Sequence, residues 1–344
     1  MRPKLLYCAL NNGSDTRITK EVRTYSKDYD VYFLGIGRDD CDFIDTSVVR
    51  KIMINGNYRN PISLFRYCLF FLLYRVKLNP SVLHIVDEQL WLILRMITWQ
   101  KYKVRLDIFD SIFLKLNKPG NDLSRLKYFL YNGLSLVYVT DENRLKLLPD
   151  KVTTEVRILP NVPMKNQVHC KLGFSNPNRL NIFYVGTLLK DRGSSYAKLL
   201  LQSDNVHITC IGWIKDDFTE ELLNHDRVRY LGVLSQNEVN KIISLEADYI
   251  IGIYPTDNIN NIYASPNKVY DAIHTSTPLI INEGILVANF VSSLNIGLTV
   301  PDNYLFLNLD QHIRDLYRKR DSFEFSNELV NKYSWENYEE MLLK

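Results

Sequence analysis

The segment NNGSDTR at residues 11–17 follows an apolar run and carries residues suited to anion binding. Gly13 permits a close backbone approach, and Arg17 can donate hydrogen bonds to a negatively charged group. Ser14 or Asp15 can cap a helix that follows. The same residues are equally typical of a plain strand-to-helix connection, so the segment alone leaves both interpretations open.

A second basic segment, YVGTLLKDRG at residues 184–193, begins with a strand that we expect to end at Gly186. Lys190 and Arg192 follow this strand closely. A phosphate bound here would meet a guanidinium that can donate two parallel hydrogen bonds. Solvated surface cations are the alternative interpretation.

A lysine at the start of a helix gives a further signal. In YASPNKVYDAIHTSTPLI, residues 263–280, Pro266 predicts a helix start that places Asn267 and Lys268 in the first turn. A cation at this end of a helix dipole is unfavourable unless an anion lies nearby. Asp271 shares the helix face and can accept hydrogen bonds from sugar hydroxyls. The position of Lys268 therefore indicates a function.

Candidates for proton transfer lie in the first half of the chain. Asp87 and Glu88 follow the run VLHIV, and Asp107 and Asp110 lie in VRLDIFDSIF. Because Asp107 and Asp110 flank two apolar residues, we expect one of them at most to face a ligand and the other to be structural. Asp110 and Asp87 are the candidates for a general base. His84, within VLHIV, is either a third catalytic candidate or a core histidine.

Elements able to position these residues recur along both halves. Short apolar runs alternate with stretches of helical length, which is typical of βαβ units and predicts an α/β fold with two parallel-sheet domains. Proline, glycine and polar residues place the boundary near 161–178. We expect an N-terminal domain at 1–165, a C-terminal domain at 178–325, and one helix over 326–344 that packs back on the first domain.

Composition excludes several classes of protein. The 344 residues are 46% hydrophobic and 24% charged, which are globular proportions. Five cysteines without a CxxC pair argue against a disulfide framework or structural zinc and favour a reducing compartment. The sequence has neither GxGxxG nor GxxxxGK[ST], which removes the best indication of dinucleotide or Walker-type sites.

Charge is distributed unevenly between the halves. Residues 1–165 carry a net charge of +9, whereas residues 166–344 carry −6. The first half therefore suits an anionic partner, either nucleic acid or an anionic membrane surface. Residues 62–78, ISLFRYCLFFLLYRVKL, are too often interrupted by cations to span a bilayer. They predict either a half-buried helix or a helix that lies in a membrane interface.

The ordered set of segments resembles the GT-B glycosyltransferases, in particular the broad family 4 group of bacterial surface-polysaccharide assembly. The resemblance extends over nearly the whole chain. The segments that carry it are SDTRITKEVRTYSKDYDVYFLG, VLHIVDE, VYVTDENRLKLL, VRILPNVP, YVGTLLKDRG, YLGVLSQNEVNKIISLEADYIIGIYP, SPNKVYDAIHTSTPLI and YSWENY. It implies two Rossmann-like domains that face each other across a cleft.

The resemblance also implies roles for individual residues. Arg192 and Lys268 would bind the diphosphate of a nucleotide-sugar donor and replace a metal ion, so no metal and no other cofactor is expected. Neutralising the departing diphosphate is the main electrostatic task of such a reaction. Asp271 would bind the ribose. Leu231 would lie near the nucleobase, and residues 13–17 would face the phosphates from the first domain.

Three positions depart from the family pattern. Thr187 stands where an arginine is usual, so half of the common cationic pair is missing unless Lys190 substitutes for it. Val86 replaces the second histidine of the HxH strand end, which leaves His84 alone. Tyr263 replaces the first glutamate of the spaced acidic pair, eight residues before Asp271.

We therefore predict a hexosyltransferase-class enzyme that transfers sugar to a lipid-linked or growing surface glycan, as in capsule or lipopolysaccharide assembly. We expect it in the cytoplasm, peripherally on the inner face of the cytoplasmic membrane. The alternatives are a nucleotide-sugar epimerase and a catalytically silent GT-B subunit that partners another glycosyltransferase. Nucleic-acid binding would leave the acidic second half unexplained.

Overall fold

The computed structural model describes residues 2–38, 43–98, 102–165, 171 and 176–344. It forms two compact units. Unit 1 consists of Met1–Asn161 and Tyr338–Lys344, and unit 2 of Val162–Asn337. Part of the predicted boundary, residues 166–170 and 172–175, lies outside the described residues.

Unit 1 is built on a seven-stranded parallel sheet in the order β3-β2-β1-β4-β5-β6-β7. Its central strands are buried on both faces, because helices cover both sides of the sheet. The strands are β1 Lys4–Cys8, β2 Asp30–Ile36, β3 Val49–Ile54, β4 Val82–Val86, β5 Lys103–Ile108, β6 Leu136–Val139 and β7 Val156–Ile158.

In the described part of unit 1, six helices precede β7, and four of them begin at side-chain caps. Asp15 accepts a hydrogen bond from the Arg17 amide at the first, and Asn60 accepts one from the Ile62 amide at the second. These helices are α1 Thr16–Tyr25, α2 Pro61–Leu78, α3 Glu88–Arg95, α4 Ile112–Lys115, α5 Ser124–Tyr131 and α6 Glu142–Leu145.

Unit 2 has a six-stranded parallel sheet in the order β10-β9-β8-β11-β12-β13. The strands are β8 Leu180–Leu188, β9 Val206–Ile214, β10 Val228–Tyr230, β11 Tyr249–Gly252, β12 Leu279–Asn282 and β13 Gly297–Val300. The helices are α7 Ser194–Leu200, α8 Asp217–Leu223, α9 Gln236–Glu246, α10 Ile259–Ile262, α11 Lys268–Thr275, α12 Ala288–Ser293, α13 Leu309–Lys319 and α14 Asn327–Lys332. Strand β8 continues two residues beyond Gly186, so the expected strand end there is wrong.

The last residues differ from the single helix expected over 326–344. Helix α14 belongs to unit 2, where the Tyr333 carbonyl lies 2.8 Å from Nε2 of His274. Helix α15, Glu339–Leu343, belongs to unit 1, and its Glu339 carboxylate pairs with Lys27 at 2.5 Å. Two separate helices thus replace the predicted one, because the chain turns through a short 3-10 segment at Trp335–Asn337.

Helix α2 has one buried face and one apolar face that is exposed. Tyr67 and Phe71 are fully buried against the unit 1 sheet. The residues of the opposite face are exposed by 48–71%, and they are Ile62, Phe65, Leu69, Leu73 and Val76. Among the described residues, no helix is long and apolar enough to cross a membrane.

Candidate functional site

Two cations converge on one tyrosine ring at the carboxyl edge of the unit 2 sheet. Tyr254 follows β11, which pairs with β8 where the strand order reverses. The Lys268 ammonium lies 5.5 Å from the centre of this ring, and the Arg192 guanidinium carbon lies 5.6 Å from it. Ligands of open α/β sheets bind at such switch points. Arg192 donates a hydrogen bond to the neutral Asn261 amide oxygen at 3.2 Å.

Electrostatics at Lys268 match an anion site. Burial lowers the pKa of the Lys268 ammonium to about 8, and the nearby charge of Arg192 contributes to this shift. The Asp271 carboxylate partly opposes it. Lys268 is the first residue of α11, where the helix dipole is also unfavourable to a cation. A bound anion would relieve both unfavourable effects.

Three glycines form a floor without side chains beside Lys268. Gly186 of β8 pairs with Gly212 of β9, and the Gly212 amide donates to the Gly232 carbonyl at 2.8 Å. A Cβ on Gly212 would lie 1.8 Å from the Gly186 carbonyl oxygen, so only glycine fits there. A Cβ on Gly186 would approach only the Lys268 side chain, at 3.9 Å. The floor therefore leaves room for a ligand beside Lys268.

An aromatic rim lies at the β9–β10 side of this floor. Trp213 is 54% exposed, and Tyr230, whose hydroxyl donates to the Gly212 carbonyl, is 40% exposed. Leu231, which we expected near a nucleobase, is the next residue and hydrogen-bonds through its amide to Cys210. Sequence reasoning missed Trp213, although a tryptophan directly after a strand glycine was a usable signal.

Asp271 lies among amide side chains rather than in open solvent. It is 6% exposed, and its Oδ1 accepts hydrogen bonds from Gln236 at 3.0 Å and Asn240 at 3.4 Å. Asn267 precedes Lys268 as the exposed N-cap residue of α11. The expected first-turn position of Lys268 is thus correct.

Lys190 does not join the two cations over Tyr254. Its ammonium lies 5.5 Å from the Phe218 ring, and its amide donates to Asp216 at 2.6 Å. The expectation that Lys190 substitutes for the arginine absent at Thr187 finds no support in these contacts. Lys268 and Arg192 are the pair that the structure brings together.

In unit 1, Asp87 follows β4 at the other sheet's switch point, between β1 and β4. Its backbone has φ 65° and ψ 146°, a conformation that non-glycine residues rarely adopt. One carboxylate oxygen, Oδ1, accepts hydrogen bonds from the amides of Phe109 at 2.8 Å and Asp110 at 3.0 Å. Burial raises the pKa of the Asp87 carboxyl to about 7, which suits a residue that exchanges a proton near neutral pH.

The neighbouring acids have other partners. Asp110 is exposed, and its carboxylate lies 3.4 Å from the Lys115 ammonium. Glu88 is buried and accepts hydrogen bonds from the Ser111 hydroxyl and the Ile112 amide. Asp87 is therefore the better placed of the two candidate bases.

The structure contradicts the anion-binding role that was predicted for Arg17. The guanidinium is 1% exposed and binds Asp107 through Nη2 at 2.5 Å, Glu21 through Nε at 2.8 Å, and the Leu159 carbonyl through Nη1 at 2.7 Å. It holds α1 to the sheet and cannot face a donor phosphate. Asp107 is the structural member of the Asp107–Asp110 pair, as expected.

The structure shows that His84 is a core histidine and not a catalytic residue. The imidazole is completely buried, is stacked on the Tyr7 ring at 4.4 Å, and lies 2.9 Å from the Tyr25 hydroxyl. Burial lowers its pKa to about 3, so it is neutral at physiological pH and cannot contact a substrate. Its ring also approaches Glu21 and Asp107, whose carboxylates already bind a guanidinium, so these three residues do not fit a metal ion.

Gly13 packs closely against Ile44. Its φ is +89°, and a Cβ there would lie 2.7 Å from Cδ1 of Ile44. Gly13 therefore allows a tight turn beneath Ile44. The expected approach of a phosphate to this residue is not supported.

Replacing Arg17 by Lys is expected to lower the free energy of unfolding by about 1–3 kcal/mol, because one ammonium cannot reach all three buried acceptors. Chemical denaturation monitored by tyrosine and tryptophan fluorescence would measure the change. Arg23→Lys, on an exposed position of the same helix, is the control. Equal stability of the two variants would contradict the role assigned to Arg17.

Several solved structures have a fold similar to that of this chain. The chain is similar over 99% of its length to 97% of sucrose-phosphate synthase from Thermosynechococcus elongatus (TM-score 0.74, 14% identity). It is similar over its full length to all of HepE from Anabaena, solved with UDP and glucose (TM-score 0.69, 11% identity). It is similar over 99% of its length to 95% of WaaG, a glycosyltransferase of lipopolysaccharide biosynthesis (TM-score 0.62, 12% identity).

No protein-family model and no curated protein matches the sequence. The structural similarity shows the fold: two parallel-sheet, Rossmann-like units of the GT-B glycosyltransferase type. The predicted fold class is thereby confirmed.

Proposed function

We propose that the chain is a metal-independent glycosyltransferase that uses a nucleotide-diphosphate sugar. The observation that carries this proposal is the convergence of Lys268 and Arg192 over Tyr254 at the switch point of unit 2. Two positive charges there would stabilise a departing diphosphate, as a metal ion does in other enzymes. HepE, which has a similar fold, was solved with UDP.

We also propose an orientation for the donor in this site. With its diphosphate at Lys268 and Arg192, the donor would extend its nucleoside across the glycine floor. The base would then lie near Leu231 and Trp213, where an exposed aromatic ring can stack on it. Asp271 would bind the ribose, and its hydrogen bonds to Gln236 and Asn240 would hold the carboxylate in place.

A nucleotide panel tests the proposal. UDP, GDP, CDP and their sugars are compared in a thermal-shift assay, and one nucleotide is expected to raise the melting temperature by mass action. Transfer is then measured with and without EDTA, and the rate is expected to be unchanged. Loss of transfer in EDTA would contradict metal independence. Nucleotide binding without transfer would favour a silent subunit, and epimerisation of the donor without an acceptor would favour an epimerase.

We further propose a lipid-linked surface glycan as acceptor, reached by docking of unit 1 on the anionic inner face of the cytoplasmic membrane. The exposed apolar face of α2 supports this, because its five residues repeat at helical spacing on one side. Arg66 and Lys77 of the same helix are exposed and can contact anionic headgroups. WaaG, whose fold is similar, acts in lipopolysaccharide biosynthesis.

Replacing Phe65 by Glu is expected to reduce binding to vesicles that contain phosphatidylglycerol, and the remaining binding should weaken as salt rises. Vesicle co-sedimentation measures both effects. The control is Phe306→Glu, the same change at an exposed phenylalanine of unit 2. Equal binding of both variants, or equal binding of the wild type to neutral and anionic vesicles, would refute docking through α2.

A further inference from the structure

A pocket of about 910 Å³ lies over the carboxyl end of β2, between the loops that follow β1 and β3. Its lining includes four asparagines and two aromatic residues, which are Asn11, Asn12, Asn55, Asn57, Phe43 and Tyr58. No residue of the proposed donor site lines this pocket. We propose that it binds a pyranose residue of the acceptor glycan, next to the residue that receives the transferred sugar. This inference rests on the proposed glycosyltransferase function.

The amide side chains are held in fixed orientations by the backbone. Oδ1 of Asn11 accepts from the Gly13 amide at 2.8 Å, and Oδ1 of Asn57 accepts from the Arg59 amide at 2.9 Å. Nδ2 of Asn12 instead donates to the Arg38 carbonyl at 3.1 Å. The first two side chains therefore offer NH₂ donors to a ligand, and the third offers a carbonyl acceptor. Sugar hydroxyls both donate and accept, so they match this mixed set.

The remaining walls suit the apolar face of a sugar ring. Tyr58 is half-buried against the core of unit 1, and Phe43 is 41% exposed. Gly37 and Gly56 also line the pocket, and a Cβ on Gly37 would lie 3.0 Å from Cβ of Asn12, which is itself a lining residue. The pocket thus combines aromatic surface with oriented amides.

The pocket and Asp87 lie at different strands of the unit 1 sheet. The pocket is centred on β2, whereas Asp87 follows β4, and β1 lies between these strands. Two strand spacings amount to about 10 Å. One sugar ring does not cover that distance, so a sugar in the pocket is a neighbour of the accepting residue. The acceptor is therefore at least a disaccharide.

Saturation-transfer NMR on the full chain without donor tests the inference. The probes are methyl cellobioside, methyl lactoside and methyl maltoside, together with methyl glucoside and methyl galactoside. At least one disaccharide is expected to bind, and to bind more tightly than its monosaccharide. Asn57→Ala should weaken that binding about 3- to 10-fold, the loss expected for one hydrogen bond. Asn176→Ala, which removes the same side-chain contact with the amide two residues on, should leave it unchanged.

Binding that is equal in the wild type and Asn57→Ala, or the absence of binding by every probe, would overturn the inference. Equal affinity for disaccharides and monosaccharides would overturn the position given to the accepting residue. Binding of UDP, GDP and CDP is measured in parallel. A chain that binds a disaccharide but no nucleotide would support the pocket and refute the proposed donor site, so the two failures are distinguishable.

Discussion

Replacement of Lys268 by Ala is expected to lower kcat by about 10²- to 10³-fold, which is the cost of removing one preorganised charge from a site of developing negative charge. The nucleotide-induced rise in melting temperature should fall as well, because the proposed contact of the ammonium with the diphosphate would also form in the nucleotide complex. Lys198→Ala is the matched control, since the Lys198 ammonium also lies over an aromatic ring, 5.0 Å from the centre of Phe218. Similar kinetics of the two variants would remove Lys268 from the donor site.

The pH dependence gives a sharper test of the same residue. With a pKa of about 8, Lys268 loses its charge as the pH rises through that value, so kcat/KM for the donor should fall above about pH 8. Lys268→Arg keeps its charge at all accessible pH values. The alkaline fall should therefore be absent in this variant. A fall that persists unchanged would show that another group titrates.

Replacement of Asp87 by Asn is expected to lower kcat by about 10²- to 10⁴-fold while nucleotide binding is retained, because the proposed partner of Asp87 is the acceptor hydroxyl. The active form is the carboxylate and its pKa is raised to about 7, so the wild-type rate should rise with pH through that value. Asp110→Asn is the control, since Asp110 is exposed and paired with Lys115. Full activity of Asp87→Asn would refute the assignment.

Product stereochemistry completes the test. NMR analysis of the anomeric configuration distinguishes two roles for Asp87. An inverted product together with an inactive Asp87→Asn variant assigns the general base to Asp87. A retained product with the same inactive variant assigns to Asp87 the orientation of the acceptor hydroxyl. An inverted product from fully active Asp87→Asn and Asp110→Asn variants would place the base elsewhere.

The features that were predicted correctly from the sequence are those that depend on residues close together in the chain. The apolar runs gave the parallel strands, because strands covered on both faces need apolar residues throughout. Pro266 placed Lys268 in a first turn, and Asp15, one of the two predicted candidates, is the cap of α1. Each of these inferences depends on residues within a few positions of one another.

Inferences that depend on distant partners failed. Arg17 was assigned to a ligand because the sequence does not show that Asp107, 90 residues away, converges on it. The spacing of Arg17 and Glu21 was a signal, since residues four apart share a helix face. The positive φ of Asp87 and the approach of Lys268 to Tyr254 depend on tertiary structure, and the sequence carries no local mark of either.

The return of α15 to unit 1 bears on how the chain folds during synthesis. Unit 2 is one continuous segment, inserted between the two parts of unit 1. The Arg105 guanidinium and the Tyr138 hydroxyl of unit 1 donate to the carbonyls of Leu342 and Met341. During synthesis on the ribosome, these donors can reach the two carbonyls only after all of unit 2 has been translated. Unit 2 can thus complete its fold first, while unit 1 completes its own only after residues 338–344 have been translated.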